Sequence, residues 1–200
     1  MSELSTEEKI LAAAISVFQE KGMNGTRMQE IADKAGINKA LLHYYYRSKQ
    51  LLFEQVFKTI VRVLGPKLRS IINSDVHLFD KIRLFTHEYI DLLMNHMFLP
   101  AFIIQEINRN PDLIRNTFTE EIKDSVDILR KQINELIEKG EIKPIDINQI
   151  IVSLVSASIF PIVAKPIIGT IFNMDDKAYL QFLEERKSNV AEMIINSIKI

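Results

Sequence analysis

Residues 10–52 read ILAAAISVFQEKGMNGTRMQEIADKAGINKALLHYYYRSKQLL, and this segment carries the strongest structural signal in the chain. Its apolar residues recur at the three- and four-residue intervals of amphipathic helices, and short turns separate the helices. The pattern predicts a first helix that Gly22 ends, a short second helix to about Lys34, and a short third helix from about Asn38. Helices of about eight residues are unstable alone, so the two short ones must pack against a neighbour, as in a helix-turn-helix.

Polar side chains that cap helix ends indicate where the helices begin. Ser5, followed by Glu8 three residues later, predicts the start of the first helix. Thr26 with Gln29 predicts the start of the second helix by the same spacing. Ser48 is the expected N-cap of a long fourth helix.

The third helix is expected to face outward. Ile31, Ala32 and Leu42 supply apolar contacts that hold the two short helices together at a steep angle. The other side chains of the third helix carry large polar and aromatic groups at high density, a surface that suits the major groove of DNA. These side chains are Lys39, Leu41, His43, Tyr44 and Tyr45.

Residues 10–52 resemble the DNA-binding region of the TetR family of transcriptional regulators nearly position by position. Tyr46 stands where the family usually has Phe. The resemblance implies a homodimer that binds double-stranded operator DNA and responds to a small-molecule effector. The other matching positions are Ala13, Ala14, Phe18, Gly22, Thr26, Ile31, Ala32, Ala35, Gly36, Ile37, Lys39, Ser48, Lys49 and Leu52.

Four positions depart from the family pattern. Asn38 stands where many members have Ser and Ala40 where they have Gly, and both replacements preserve the helix, since Asn is a good N-cap and Ala a good helix former. Leu41 replaces Thr and His43 replaces Tyr. These last two remove hydroxyls that in relatives bind phosphate, so they change individual DNA contacts.

The resemblance also implies a division between reading and positioning residues. Gln29 and Lys39 are the candidates to reach base edges, with Gln29 suited to adenine and Lys39 to guanine. The remaining polar candidates are assigned to phosphate, which positions the protein without specifying sequence. A solvated or packing role is an equal alternative for Arg27 and Tyr45. The phosphate candidates are Arg27, His43, Tyr44, Tyr45 and Lys49, and Leu41 lies on the same predicted surface.

The rest of the chain also has helical spacing, so the protein is predicted to be all-α. Residues 1–50 are expected to form a three-helix helix-turn-helix DNA-binding domain. Residues 51–200 are expected to form a helical domain for effector binding and dimerisation. Its later amphipathic segments are 79–97, 100–108, 111–139, 147–170 and 175–198.

A ligand cavity among the middle helices follows from the resemblance. Adaptable apolar side chains would line it, and a few polar groups would orient the ligand. Each candidate taken singly has a core or surface position as its alternative, and Glu106 and Arg109 have the spacing of a helical ion pair. The candidates are Met94, Met97, Phe98, Phe102 and Phe118 for the lining, and His87, Gln105, Glu106 and Arg109 for polar contacts.

The resemblance further implies a homodimer through the last two helices, packed as a four-helix bundle with their symmetry mates. Small serines between Ile150 and Ile159 permit close helix approach, whereas Pro161 and Pro166 should kink or break this segment. The apolar stripe of the last helix has intramolecular core as its alternative. That stripe comprises Tyr179, Phe182, Leu183, Val190, Ile194 and Ile198.

The composition narrows the remaining function classes. The chain has no Cys, which excludes disulfides and thiolate chemistry. The N-terminus MSELSTEEKI is polar, unlike a secretory signal, and the uncharged stretch 150–164 is shorter than the roughly 20 residues of a membrane span. We expect a cytoplasmic protein without membrane contact, cofactor or metal. Because the net charge is −1, DNA affinity must come from locally placed cations.

Two other function classes compete with DNA binding. Residues 87–91, HEYID, resemble the helical zinc motif H-E-x-x-H, but Asp91 replaces the second His and no third ligand is evident, which disfavours a metal-dependent helical enzyme. A helical protein-interaction module explains the C-terminal helices equally well. It leaves the polar and aromatic side chains from Gln29 to Lys49 unexplained, whereas a DNA-binding regulator explains both parts of the chain.

Overall fold

The computed structural model describes residues 4–109 and 111–200, with side chains except at 64, 106, 107, 109, 113, 114 and 116–123. Its described part forms ten helices and one isolated antiparallel bridge, between Ile142 and Lys199, which confirms the all-α prediction. The helices are α1 (Thr6–Gly25), α2 (Met28–Ala35), α3 (Lys39–Tyr45), α4 (Lys49–Asn73), α5 (Leu78–Asn95), α6 (Leu99–Arg109), α7 (Pro111–Glu138), α8 (Ile147–Val163), α9 (Lys165–Ile171) and α10 (Asp176–Ile198).

The chain divides into two compact units between Val63 and Leu64, inside α4. The N-terminal unit is therefore longer than the 1–50 domain expected from the sequence. The first half of α4 completes its core, because the ring of Phe53 packs on that of Phe18 with 4.5 Å between centroids. The buried residues of α4 in this unit are Leu52, Phe53, Val56, Phe57 and Ile60.

The first helix begins and breaks where the sequence predicts. The Glu8 N–H donates to Ser5 Oγ at 3.2 Å, and the Ser5 N–H donates to Glu8 Oε2 at 2.8 Å, which completes a capping box. Hydrogen bonding to Ser5 lowers the pKa of the Glu8 carboxyl, first through the Ser5 backbone N–H and then through the Ser5 hydroxyl. Gly22 interrupts the helical geometry with φ of 64°, a left-handed value that glycine adopts without a steric penalty.

The predicted cap of α2 is wrong by one residue. Arg27 is the N-cap, and its N–H donates to Glu30 Oε2 at 3.0 Å. The hydroxyl of Thr26 instead donates to the Gly22 carbonyl at 2.7 Å, and Thr26 is only 2% exposed. Burial of Thr26 at the end of α1 removes its side chain from the start of α2, which the spacing with Gln29 alone did not show.

The C-terminal unit is built around α10, which packs against α5 and α8. A large cluster joins these three helices with the end of α7, and a smaller cluster lies around Tyr179. The larger cluster comprises Leu78, Ile82, Ile133, Leu136, Ile142, Ile147, Ile150, Leu154, Ala191, Ile194, Ile195 and Ile198. The smaller one comprises Leu93, Ile162, Tyr179 and Leu183.

This packing corrects the sequence-based dimer face on α10. Of the proposed stripe, Tyr179, Leu183, Val190, Ile194 and Ile198 are each 5% exposed or less. Phe182 packs against the smaller cluster. The stripe thus fills the core of a single chain, because α10 has α5 and α8 as neighbours, and it is not free for a partner.

Proline splits the segment predicted as one helix over 147–170. α8 and α9 meet at an angle of 74° around Ala164, which confirms the predicted break. Pro166 lies in the first turn of α9, and since it lacks an N–H it cannot continue the hydrogen-bond ladder of α8. The Pro161 carbonyl accepts a hydrogen bond from the Tyr179 hydroxyl, which ties α8 to α10.

Among the described residues, no single helix has both the length and the hydropathy of a membrane span. The bent pair α8 and α9 meets the criterion only when the two helices are taken together.

Tyr46 gives a direct test of how the N-terminal unit is held together. Its hydroxyl donates to Glu7 Oε1 at 2.9 Å, which joins the end of α3 to the start of α1. We expect Tyr46→Phe to lower the free energy of unfolding by about 1 kcal/mol, because one partly buried hydrogen bond is lost. Urea unfolding followed by circular dichroism measures this change. Tyr44→Phe, at a side chain that is 82% exposed, should leave stability unchanged, and equal losses in both variants would contradict the assignment.

Candidate nucleic-acid interface

The turn between α2 and α3 is a left-handed glycine turn. Gly36 has φ of 69°, and its N–H donates to the Asp33 carbonyl at 3.2 Å. The Ile37 N–H donates to the Ala32 carbonyl at 3.0 Å, so the two bonds together close a Schellman motif. This fixed turn sets the angle at which α3 leaves α2.

α3 presents almost its whole circumference to solvent. Asn38 begins the helix, and its Oδ1 accepts a hydrogen bond from the Leu41 N–H at 2.8 Å, as the sequence predicts. Within the helix only Leu42 is buried, and the other six of its seven residues are exposed. The helix is therefore attached by one apolar side chain and by Tyr46 just beyond its end, and it leaves a projecting surface.

The structure brings the predicted DNA-contacting residues of α3 onto this surface. Tyr44 is 82% exposed and Tyr45 is 40% exposed, and their rings meet edge to face with 5.7 Å between centroids. Leu41 is 38% exposed, so an apolar contact accompanies the polar groups. The exposed members of the predicted set are Arg27, Gln29, Lys39, Leu41, His43, Tyr44 and Tyr45, whereas Lys49 is half-buried.

Two of the residues predicted to contact DNA form hydrogen bonds within the protein. The Gln29 amide donates to Asp33 Oδ1 at 2.7 Å, one turn along α2. The Lys49 ammonium donates to the Thr26 carbonyl at 2.9 Å. Either side chain must give up or share that bond to contact DNA.

An ion pair fixes α2 on α1. Lys21 Nζ lies 2.9 Å from Glu30 Oε1. The bond from Lys21, and then the bond from the Arg27 N–H, lower the pKa of Glu30. Because both bonds satisfy the Glu30 carboxylate, this anion near the interface is neutralised inside the protein.

Arg47 is an exposed cation outside the set of residues predicted to contact DNA. It lies between the buried Tyr46 and the cap residue Ser48, whose Oγ accepts a hydrogen bond from the Leu51 N–H at 3.2 Å. The signal available in the sequence was a cation directly before the predicted cap of the fourth helix.

The predicted effector residues whose side chains the structure describes differ in burial. Met94 and Met97 pack against the smaller apolar cluster, and Phe102 is only 3% exposed. His87 and Gln105 are exposed, and Phe98 is half-buried. The side chains of Glu106, Arg109 and Phe118 lie outside the described residues.

Two shallow surface depressions lie elsewhere, and no predicted effector residue lines either of them. One has a volume of about 330 Å³ and lies beside α9, and the other, of about 320 Å³, lies between α1 and α2. The first is lined by Lys165, Pro166, Gly169, Thr170 and Met174, and the second by Leu4, Lys9, Ala12, Ala13, Lys34 and Ala35.

Residues 87–91 on α5, which resemble a zinc-binding motif, take part in an ion-pair network. His87 Nδ1 lies 3.5 Å from Asp91 Oδ2, and the same carboxylate accepts a bond from the buried Lys187 ammonium. Glu184 also contacts Lys187. Burial alone would lower the pKa of Lys187, but the two carboxylates raise it. No cluster of three or more potential metal ligands occurs in the part of the chain that the structure describes.

Known proteins resemble this chain in sequence. The sequence pattern of the bacterial regulatory proteins of the tetR family matches residues 10–56. The negative transcriptional regulator IcaR of the biofilm operon icaADBC, from Staphylococcus aureus, is 26% identical over 137 residues, which cover 68% of this chain and 72% of IcaR. The HTH-type transcriptional regulator RutR of Escherichia coli is 25% identical over 145 residues, which cover 72% of this chain and 68% of RutR.

A solved structure extends the likeness to the whole fold. The transcriptional regulator FadR of Bacillus subtilis, in complex with stearoyl-CoA, superposes with a TM-score of 0.65 at 21% identity. The superposition covers 94% of this chain and 96% of FadR. Both units of this chain therefore have counterparts in one known helical architecture.

Proposed function

This chain belongs to the TetR family of transcriptional regulators, and we propose that it represses transcription as a homodimer on pseudopalindromic operator DNA. A small molecule bound by the C-terminal unit releases or tightens its grip on the operator. The observation that carries the proposal is the outward projection of α3, on which only Leu42 is buried. Repression is supported by the likeness to IcaR, a negative regulator.

DNA recognition rests on the surface of α2 and α3. Lys39, at the start of α3, is exposed and suited to the O6 and N7 acceptors of guanine in the major groove. Gln29 is suited to adenine once its amide leaves Asp33. Arg27, His43, Tyr44 and Tyr45 surround these two and hold the phosphates, and two such surfaces in a dimer fit grooves about 34–36 Å apart or a multiple of it.

The dimer interface includes the solvent-facing side of α8. Val152 is 61% exposed and Phe160 is 64% exposed, and the small exposed residues Ser153 and Ser156 lie between them. This spacing places apolar and small side chains on one face of the helix, which permits close packing against a second copy. On α10, the exposed Met193 is available in place of the stripe that lies in the core.

Effector control acts through α4. This helix begins beside the DNA-binding surface at Lys49 and continues through Pro66 to Asn73, so it belongs to both units. A ligand that displaces its C-terminal half would tilt the N-terminal unit and change the spacing of the two recognition helices. FadR binds stearoyl-CoA, which supports an amphipathic molecule as the first class to test.

The remaining assignments complete the proposal. The protein acts in the cytoplasm, where operator DNA is accessible, and it carries out no catalysis. A protein-interaction module without DNA binding is the competing function. It gives no reason for a projecting α3 with cationic and aromatic groups at its surface, and it predicts no binding to duplex DNA.

Selection from a random duplex pool tests DNA binding. We expect wild-type protein to select a pseudopalindromic duplex, and enrichment of no sequence would contradict the proposal. Lys39→Ala should relax the preference at one base pair of each half-site by about 1–3 kcal/mol, because a base-edge donor is lost. Lys34→Ala, at an exposed lysine near the end of α2, is the matched control and should keep the selected sequence.

Phe160→Glu tests the dimer face. A carboxylate at this position would be desolvated in the interface, so we expect light scattering to show monomer at a concentration where the wild-type protein is a dimer. Leu84→Glu, at a residue of α5 that is 47% exposed, should remain dimeric. A wild-type monomer at micromolar concentration, or a dimeric Phe160→Glu variant, would contradict this assignment.

Calorimetric titration with stearoyl-CoA, in the presence and absence of the selected duplex, tests effector control. A change in operator occupancy from 99:1 to 1:99 requires a preference of about 5.5 kcal/mol for one conformation. Linkage then requires the duplex to change the affinity for the ligand by the same factor by which the ligand changes the affinity for the duplex. Equal ligand affinities with and without DNA would show that this ligand is not coupled to operator binding.

A further inference from the structure

Two cations flank Ser48 at the start of α4, and the structure treats them differently. Arg47 is exposed, whereas Lys49 is half-buried. From the sequence, Lys49 is expected to contact phosphate, and no role is predicted for Arg47. The hydrogen bonds around the two side chains point to the opposite assignment.

Lys49 is used inside the N-terminal unit. Its ammonium donates to the carbonyl of Thr26 at 2.9 Å. Thr26 is 2% exposed, and its hydroxyl donates to the Gly22 carbonyl at 2.7 Å, so this acceptor belongs to a rigid turn. The next residue, Arg27, is the N-cap of α2. Lys49 thus joins the start of α4 to the turn from which the helix-turn-helix begins.

The backbone position of Arg47 is fixed by its two neighbours in the sequence. On one side Tyr46 is buried, and its N–H donates to the Leu42 carbonyl at 2.8 Å. On the other side Ser48 caps α4. In the described part of the chain, the Arg47 guanidinium has neither an ion pair nor a hydrogen bond. Its five N–H donors therefore remain available beside the end of α3.

We propose that Arg47 supplies the phosphate contact at the start of α4, and that Lys49 is a positioning residue that holds the turn before α2. The inference rests on the proposed DNA-binding function. A guanidinium on a fixed backbone binds a phosphate diester through two parallel N–H bonds without breaking a bond inside the protein. Lys49 has to exchange or share its bond to Thr26 to do the same.

Salt dependence separates the two roles. Each phosphate contact contributes about 0.9 to the slope of log K against log salt. If a variant loses one contact per protomer, the ratio of wild-type to variant affinity should therefore fall about 3.5-fold per protomer as salt rises from 50 mM to 200 mM. A positioning residue affects affinity through geometry, so its loss should weaken binding by a similar factor at both salt concentrations.

The experiment uses full-length protein and the duplex that the wild-type protein selects from a random pool. Fluorescence anisotropy across this salt range is measured for wild type, Arg47→Ala and Lys49→Met. The matched control is Arg62→Ala, at an exposed arginine within α4. Arg47→Ala should flatten the slope, and Lys49→Met and Arg62→Ala should keep it. Amide hydrogen exchange should become faster at residues 25–28 in Lys49→Met alone, because the bond to the turn is lost.

The outcomes are distinguishable from failure of the proposed function. Selection of no duplex by the wild-type protein would overturn both proposals. If the wild-type protein binds, an unchanged slope in Arg47→Ala overturns this inference. A slope flattened as much in Lys49→Met as in Arg47→Ala overturns it as well. Exchange at residues 25–28 is read on free protein, so it remains informative where Lys49→Met binds DNA too weakly to measure.

Discussion

A helix of seven residues cannot hold itself together in water, so the outward face of α3 depends on how the helix is attached to the N-terminal core. The attachment consists of buried Leu42 and, just beyond the helix, Tyr46, whose hydroxyl reaches Glu7. Gly36 sets the direction of the helix through its left-handed conformation. Because so few groups anchor α3, nearly all of its side chains remain free for a partner.

Some charged side chains of the N-terminal unit form bonds within the protein, and others are exposed to solvent. Glu30 and Lys49 complete the framework, the first through Lys21 and the second through the turn at Thr26. Lys39 and Arg47 remain exposed. A chain with a net charge of −1 attracts DNA only weakly over long distances, so its affinity depends on the few cations that this framework leaves free.

In the C-terminal unit, the neighbours of a helix decide whether its apolar stripe is buried within the chain or exposed to solvent. The stripe of α10 that begins at Tyr179 has the periodicity of an interface, yet α5 and α8 cover it within one chain. On α8, Val152 and Phe160 have the same periodicity and remain exposed. Sequence periodicity identifies an apolar face, but it carries no information about which helix covers that face.

Local physical chemistry determined what the sequence alone revealed: the helices, the break at Gly22, the caps at Ser5 and Asn38, and the resemblance over residues 10–52. These features depend on residues within a few positions of one another. The length of the N-terminal unit, the burial of Thr26 and the use of the α10 stripe were decided by tertiary structure. Each of these depends on contacts between residues far apart in the chain, for which the spacing of neighbours along the sequence gives no measure.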